Sequence, residues 1–149
     1  MKRKLAFAAA ACTLAVPAIA FGQTFAGIYE GHLEGSPESP VKLKFSGANQ
    51  PDGTTDTRVQ AFTVRNLSVE CTDGVVAVLD HAKLKGNIRV GDGKNFRVRD
   101  DNDETVFKVS GRIGVNKAFG KFSLSGEIEG TDGVSRDCDS GGLAWVARP

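Results

Sequence analysis

The stretch KFSLSGEIEGTDG, residues 121–133, carries the pattern that decides the fold. Phe122, Leu124 and Ile128 share one parity, while lysine, serine and glutamate take the alternate positions. This alternation predicts a β-strand with one buried and one wet face, because successive side chains of a strand point to opposite sides. The closing Asp-Gly dipeptide suits a tight hairpin turn, since both residues tolerate positive φ.

The same pattern recurs along most of the chain. Further Asp-Gly pairs stand at 52–53, 73–74 and 92–93, and alternating segments run through 41–45, 96–99 and 107–113. No segment after the first 22 residues keeps a helical period over three turns. We therefore predict an all-β fold, an antiparallel β-sandwich or a partly closed barrel of about eight to ten strands. Five phenylalanines fall on apolar parities and are expected in the core: Phe45, Phe62, Phe96, Phe107 and Phe122.

Local register can also be predicted. Folding the chain about Asp101–Glu104 sets Val98 opposite Phe107 and Phe96 opposite Val109, so that both pairs face the core.

Two irregular positions are expected as well. Pro37 and Pro40 are expected in the loop after a first strand that runs through Tyr29 and Leu33. The parity changes between Val64 and Leu67, which predicts a β-bulge near Asn66.

Residues 1–22 have the features of a secretory signal peptide. Lys2, Arg3 and Lys4 precede an apolar stretch over 5–20, and Ala18-Ile19-Ala20 offers small residues for cleavage after 20, with cleavage after 22 as the alternative. The apolar stretch is shorter than the roughly 20 residues that span a bilayer. We expect a secreted or periplasmic protein without a transmembrane segment after cleavage, in which 23–149 form a single β domain.

Charge and cysteine usage narrow the function classes. The chain has 19 basic and 18 acidic residues, a balance that excludes the strongly basic composition of most nucleic-acid binders. After cleavage, Cys71 and Cys138 are the two remaining cysteines. In an oxidising compartment such a pair in a small domain is most simply one disulfide.

Two motifs suggest catalysis or metal binding, but the sequence around each lacks the features that the corresponding site requires. Asp139-Ser140-Gly141-Gly142 resembles the nucleophile motif of trypsin-like proteases, but the chain is far shorter than those two-barrel enzymes and ends soon after Ser140. The acidic run Asp100–Glu104 offers oxygen ligands for Ca²⁺ without the glycine and glutamate spacing of an EF-hand. We therefore assign no catalytic residue, cofactor or metal ligand and expect a protein that is not an enzyme.

Candidate binding residues are basic or aromatic. Arg97 would lie opposite Lys108 in the predicted register, with Lys83, Lys85, Arg89 and Arg99 nearby in sequence, which fits either a small anion-facing surface or a charged solvent face. Among the aromatic residues, three are candidates for exposed binding positions: Tyr29, Phe119 and Trp145.

The series of turn and core motifs resembles the small secreted β-rich domains of bacteria that have no assigned function. It comprises Gly27-x-Tyr29-x-Gly31, Cys71 before Asp-Gly, Gly120-x-Phe122, and Cys138 before a final strand with Trp145. The resemblance implies export and an all-β fold, and no activity. We expect a non-catalytic module that binds an envelope component, a polysaccharide or a protein, and no nucleic acid. The alternatives are a small-ligand carrier of the β-barrel type and a hydrolase that uses Ser140.

Overall fold

The computed structural model describes residues 24–49, 55–91, 94–102, 104–114, 116–130 and 132–149. The predicted signal peptide and the Asp-Gly pairs at 52–53 and 92–93 lie outside these residues. The all-β prediction is confirmed, and no helix of the described chain is long and apolar enough to cross a membrane. The nine strands are β1 (Thr24–Leu33), β2 (Ser36–Asn49), β3 (Thr55–Cys71), β4 (Val76–Arg89), β5 (Asn95–Asp101), β6 (Thr105–Ile113), β7 (Ala118–Glu129), β8 (Ser135–Asp139) and β9 (Leu143–Arg148).

The strands form one antiparallel sheet that closes on itself. Its order is β4-β3-β2-β1-β9-β7-β6-β5, and β8 pairs with both β3 and β7. This double pairing closes a ring of six strands, β3-β2-β1-β9-β7-β8, while β4, β6 and β5 extend the sheet beyond the ring. The architecture is a six-stranded barrel with three added strands, within the range that the sequence predicts.

One edge of β7 holds two short strands in succession. β9 pairs with residues 118–122 and β8 with residues 125–129. At the junction the Leu124 amide donates to Ser140 Oγ at 2.8 Å, and the Ser140 amide donates to the Leu124 carbonyl at 2.9 Å. Gly141 follows with a φ of 65°, a conformation that glycine adopts at no steric cost. Ser140 thus holds the junction between β8 and β9 against β7.

Aromatic side chains fill the interior. The Phe62 ring lies 5.1 Å from Trp145, 6.0 Å from Phe122 and 6.4 Å from Phe107, measured between ring centroids. All four side chains are buried. The five phenylalanines expected in the core are confirmed there, with Phe45 half-buried against the cluster.

The predicted register between β5 and β6 is wrong by two residues. Val98 lies opposite Val109, and Phe96 lies opposite Gly111. The turn forms later in the chain than expected because Asn102 Oδ1 accepts hydrogen bonds from the amides of Glu104 and Thr105. These hydrogen bonds to the Asn102 side chain set the position of the turn. The alternation of apolar and polar residues along the strands does not predict them.

The two proline positions are also corrected. Pro37 and Pro40 lie within β2, which begins directly after a two-residue turn, and not in a loop. The parity change expected near Asn66 is present, and this residue has a φ of 49° with its side chain donating to the Glu38 carbonyl at 3.2 Å. The predicted β-bulge is wrong in its pairing with β4, because the register is unbroken from Arg65 to Leu67 and shifts instead between Val59 and Ala61.

Candidate functional site

The three aromatic residues expected at the surface divide into one exposed and two buried. Phe119 is 43% exposed on β7, with Lys117 Nζ 5.3 Å from its ring centroid. Tyr29 is 6% exposed and donates its hydroxyl to the Gly114 carbonyl at 2.8 Å, and burial raises the pKa of its phenol. Trp145 is 1% exposed. The expectation of exposure is wrong for Tyr29 and Trp145, because both take the inward parity of their strands; a binding role for Phe119 stays a prediction.

The Trp145 indole is buried in space that Gly111 leaves open. Trp145 lies opposite Gly120, and Gly120 lies opposite Gly111. A Cβ atom on Gly111 would lie 2.5 Å from Trp145 Cζ2. The indole also packs on Phe96, at 6.2 Å between ring centroids. It therefore lies under the backbone of β6 and β7.

A groove of about 560 Å³ lies on the outer side of these same strands. Two outward rows border it, Asn95–Arg112–Phe119 and Arg97–Ser110, each running across neighbouring strands. The inward row between them supplies the floor. We call this site the arginine groove and define it by its lining residues, Arg89, Asn95, Phe96, Arg97, Ser110, Gly111, Arg112, Phe119 and Gly120.

The arginine groove has a strongly positive lining. Arg89, Arg97 and Arg112 contribute three guanidinium groups, and none of the described residues that line the groove is acidic. Arg97 and Arg112 form no ion pair with any described residue. Arg89 has one distant partner, Asp56, at 3.9 Å.

Arginine determines which ligands the groove favours. Its planar guanidinium matches carboxylate, phosphate and sulfate oxygens with paired hydrogen bonds. The exposed Phe119 ring offers an apolar surface beside these donors, and Asn95 and Ser110 add neutral hydrogen-bonding groups. The groove therefore suits an anionic molecule with one apolar face.

Sequence reasoning anticipated this site in part. Of the basic residues that it grouped, the structure brings Arg97 and Arg89 into the groove. Arg99 instead lies opposite Lys108 and pairs with Asp101 at 2.6 Å, so the expected Arg97–Lys108 neighbourhood is wrong. Arg112 was missed, and its outward parity in β6 is the signal that could have identified it.

A second depression lies between the two ends of the sheet. β4 and β5 each pair with one neighbour only, and a cleft of about 330 Å³ lies between them. Its apolar lining comprises Leu79, Ala82, Phe107, Leu124 and Ile128. Its polar lining differs in charge from side to side, with His81 and Lys83 on β4 facing Asp100, Glu127 and Glu129.

The end of the barrel where β3 meets β8 is covalently closed. The predicted Cys71–Cys138 disulfide is confirmed and joins β3 to β8, which share only two paired positions. Arg136 reinforces this end, since Nε lies 2.7 Å from Asp73 Oδ2 and Nη2 lies 2.7 Å from Asp132 Oδ2. These hydrogen bonds lower the pKa of both carboxyl groups. The sequence signal for this clamp is the repeat of Thr-Asp-Gly-Val at 72–75 and 131–134.

The residues considered for catalysis and metal binding lie apart. Ser140 Oγ is engaged at the β8–β9 junction, and it lines none of the depressions described above. His81 lies on β4 opposite Arg65. Within the described ranges, no group of three or more His, Cys, Asp or Glu side chains could hold a metal ion.

Comparisons with known proteins add no relative. No family model matches the chain, no curated protein matches it, and no solved structure matches the fold.

Proposed function

We propose that the protein is a non-catalytic binding module that holds an anionic ligand in the arginine groove. The observation that carries this proposal is the convergence of Arg89, Arg97 and Arg112 on one groove whose described lining contains no carboxylate. On an ordinary charged surface, basic side chains can lie far apart, because each one is hydrated by water and needs no neighbour. The clustering of three arginines therefore favours a binding site.

Binding in the groove would combine two contributions. Hydrogen bonds from Arg97 and Arg112 would hold a carboxylate, phosphate or sulfate group, and bonds to charged groups are worth about 1.5–3 kcal/mol each. Phe119 would cover an apolar face of the same ligand. The floor of the groove is backed from inside the barrel by Trp145, which fills the space behind Gly111.

The chain carries one tryptophan, and its position under the groove makes it a reporter. We would titrate the protein with inorganic phosphate, sulfate and galacturonate while recording Trp145 fluorescence. Saturable binding of one or more of these probes is expected, and Arg97→Gln and Arg112→Gln should each weaken it at least about tenfold.

Lys108→Gln is the matched control, because it removes one cation from the same sheet outside the groove. It should leave affinity within twofold of the wild type. Equal affinity in the wild type and both arginine variants would refute the proposal.

We also propose that the module works outside the cytoplasm, in the periplasm or the medium. The Cys71–Cys138 disulfide supports this, since such bonds persist in oxidising compartments. Mass spectrometry of the protein exported from its own host should give a chain that begins at residue 21 or 23. A chain that retains residues 1–20 would contradict the cleavage.

A second candidate function is a carrier of small apolar ligands, favoured by the cleft between β4 and β5. Its apolar floor could accept a compact hydrophobic molecule. Nile red should bind with enhanced fluorescence, and Ala82→Phe should abolish that binding by filling the cleft. Ser68→Phe adds the same ring at an exposed site on β3 and serves as the control.

A further inference from the structure

The outward side of β4 forms a row of basic and polar side chains. Five alternate positions point away from the core, and all five are exposed: His81, Lys83, Lys85, Asn87 and Arg89. With about 3.3 Å per residue, the row from position 81 to position 89 is roughly 26 Å long. We call it the β4 row.

The β4 row and the arginine groove are continuous. Arg89 ends the row and also lines the groove beside Arg97 and Arg112. A linear ligand that occupies the groove can therefore extend past Arg89 along β4 toward Lys85 and Lys83.

The cations of the β4 row are available to a ligand. Lys83 and Lys85 form no ion pair with any described residue. Their partners across the sheet on β3 are Thr63 and Ala61, and Arg65 lies opposite His81. Carboxylates lie near both ends of the row. Asp56 is 3.9 Å from Arg89, and Asp100, Glu127 and Glu129 line the cleft between β4 and β5 together with His81 and Lys83. Lys85 lines neither the arginine groove nor this cleft.

We infer that the ligand of the arginine groove is a linear polyanion, an acidic polysaccharide, whose repeating anionic groups continue along the β4 row. This inference rests on the proposed function and specifies its ligand class. Alternate lysines on one strand recur about every 6.6 Å, which favours a chain with regularly repeating charge over a single small anion.

The surroundings of the row favour a polysaccharide over other polyanions. Binders of single-stranded nucleic acid stack bases on successive aromatic side chains, and the β4 row has none. Thr63 and the Asn87 amide instead flank the lysines and can hydrogen-bond sugar hydroxyl groups. Phe119, at the groove end, provides one apolar face for a sugar ring.

The test compares polygalacturonate with galacturonate, its monomer, by isothermal titration at two salt concentrations. The polymer should bind at least tenfold more tightly per binding site, with a steeper loss of affinity in salt. A double variant, Lys83→Gln with Lys85→Gln, should remove most of this gain and leave the affinity for galacturonate unchanged.

A second double variant, Lys108→Gln with Arg148→Gln, removes the same charge elsewhere and should retain the gain. Circular dichroism and thermal unfolding would verify that both double variants fold. Equal affinity for polymer and monomer would overturn the inference, and so would a polymer that still binds the Lys83→Gln, Lys85→Gln variant as tightly as the wild type. Galacturonate binding that depends on Arg97 would still support the proposed function in either case.

Absence of wild-type binding to both sugars would overturn the inference, and absence of binding to phosphate and sulfate as well would count against the proposed function itself. Tighter binding to single-stranded DNA or to phosphatidylglycerol vesicles than to polygalacturonate, at equal salt, would overturn the polysaccharide assignment.

Discussion

Gly111 leaves open the space that the Trp145 indole occupies, since a Cβ atom there would lie 2.5 Å from Cζ2. β7 lies between β6 and β9 in the sheet. The Trp145 side chain extends from β9 across β7 and packs against β6 at Gly111. This contact supports the floor of the arginine groove from inside the barrel.

Gly111→Ala should therefore destabilise the protein. The added methyl group meets a buried aromatic ring, and overpacking of this kind costs about 1–3 kcal/mol. Chemical denaturation followed by Trp145 fluorescence measures the free energy of unfolding. Gly142→Ala is the control, since no atom lies within 4 Å of its Cβ position; equal losses in both variants would contradict the packing argument.

The disulfide should contribute much of the stability of the β3–β8 seam. Cys71 and Cys138 are 67 positions apart in sequence, and a loop of this size corresponds to about 4 kcal/mol of lost chain entropy in the unfolded state. We expect the double variant Cys71→Ser with Cys138→Ser to lose several kcal/mol in urea unfolding. Its affinity for galacturonate should not change, because the seam lies away from the groove. Equal stability of the wild type in reducing and oxidising buffer would refute this role.

Acid should weaken the Arg136 clamp. Hydrogen bonds from Arg136 lower the pKa of Asp73 and Asp132 in the folded state, so both carboxylates stabilise the fold above their ordinary pKa. This stabilisation is lost as pH falls below about 4 toward the lowered values. Arg136→Gln should flatten the pH dependence of unfolding in that range. Arg148→Gln should reproduce the wild-type profile, and a wild-type profile in Arg136→Gln would contradict the clamp.

Phe119 should matter for sugars and not for inorganic ions. Phe119→Ala removes the apolar face beside the guanidinium groups and should weaken galacturonate binding about fivefold, equivalent to ~1 kcal/mol. Phosphate affinity should stay unchanged, since that ion has no apolar face. Val78→Ala, another exposed apolar position, is the control. A parallel loss for phosphate and galacturonate would indicate that Phe119 supports the groove and does not contact the ligand.

The strands were predictable because their burial pattern repeats every second residue. Phe122, Leu124 and Ile128 lie buried as the alternation requires. Register was less predictable, since Asn102 fixes the β5–β6 turn through a side-chain hydrogen bond. The burial of Trp145 depends on Gly111, a residue without a side chain that carries no hydrophobic signal.

The arginine groove could be predicted only in part. Parity indicates that Arg97 and Arg112 point outward, but the two lie opposite different neighbours once the register shifts by two. Arg89 reaches the groove from β4, which does not pair with β5. Which strands lie side by side in space depends on the closure of the whole barrel, and alternation along one strand contains no such information.

The most direct test of the central claim is a titration of isotope-labelled protein with galacturonate, followed by backbone amide chemical shifts. We predict saturable shifts concentrated at the groove, at Arg97, Ser110, Gly111, Arg112 and Gly120, with little change at Cys71 or Cys138. Shifts concentrated instead at Leu79–Lys83 and Glu127–Glu129 would place the ligand in the cleft between β4 and β5, and their appearance would contradict the assignment of the arginine groove.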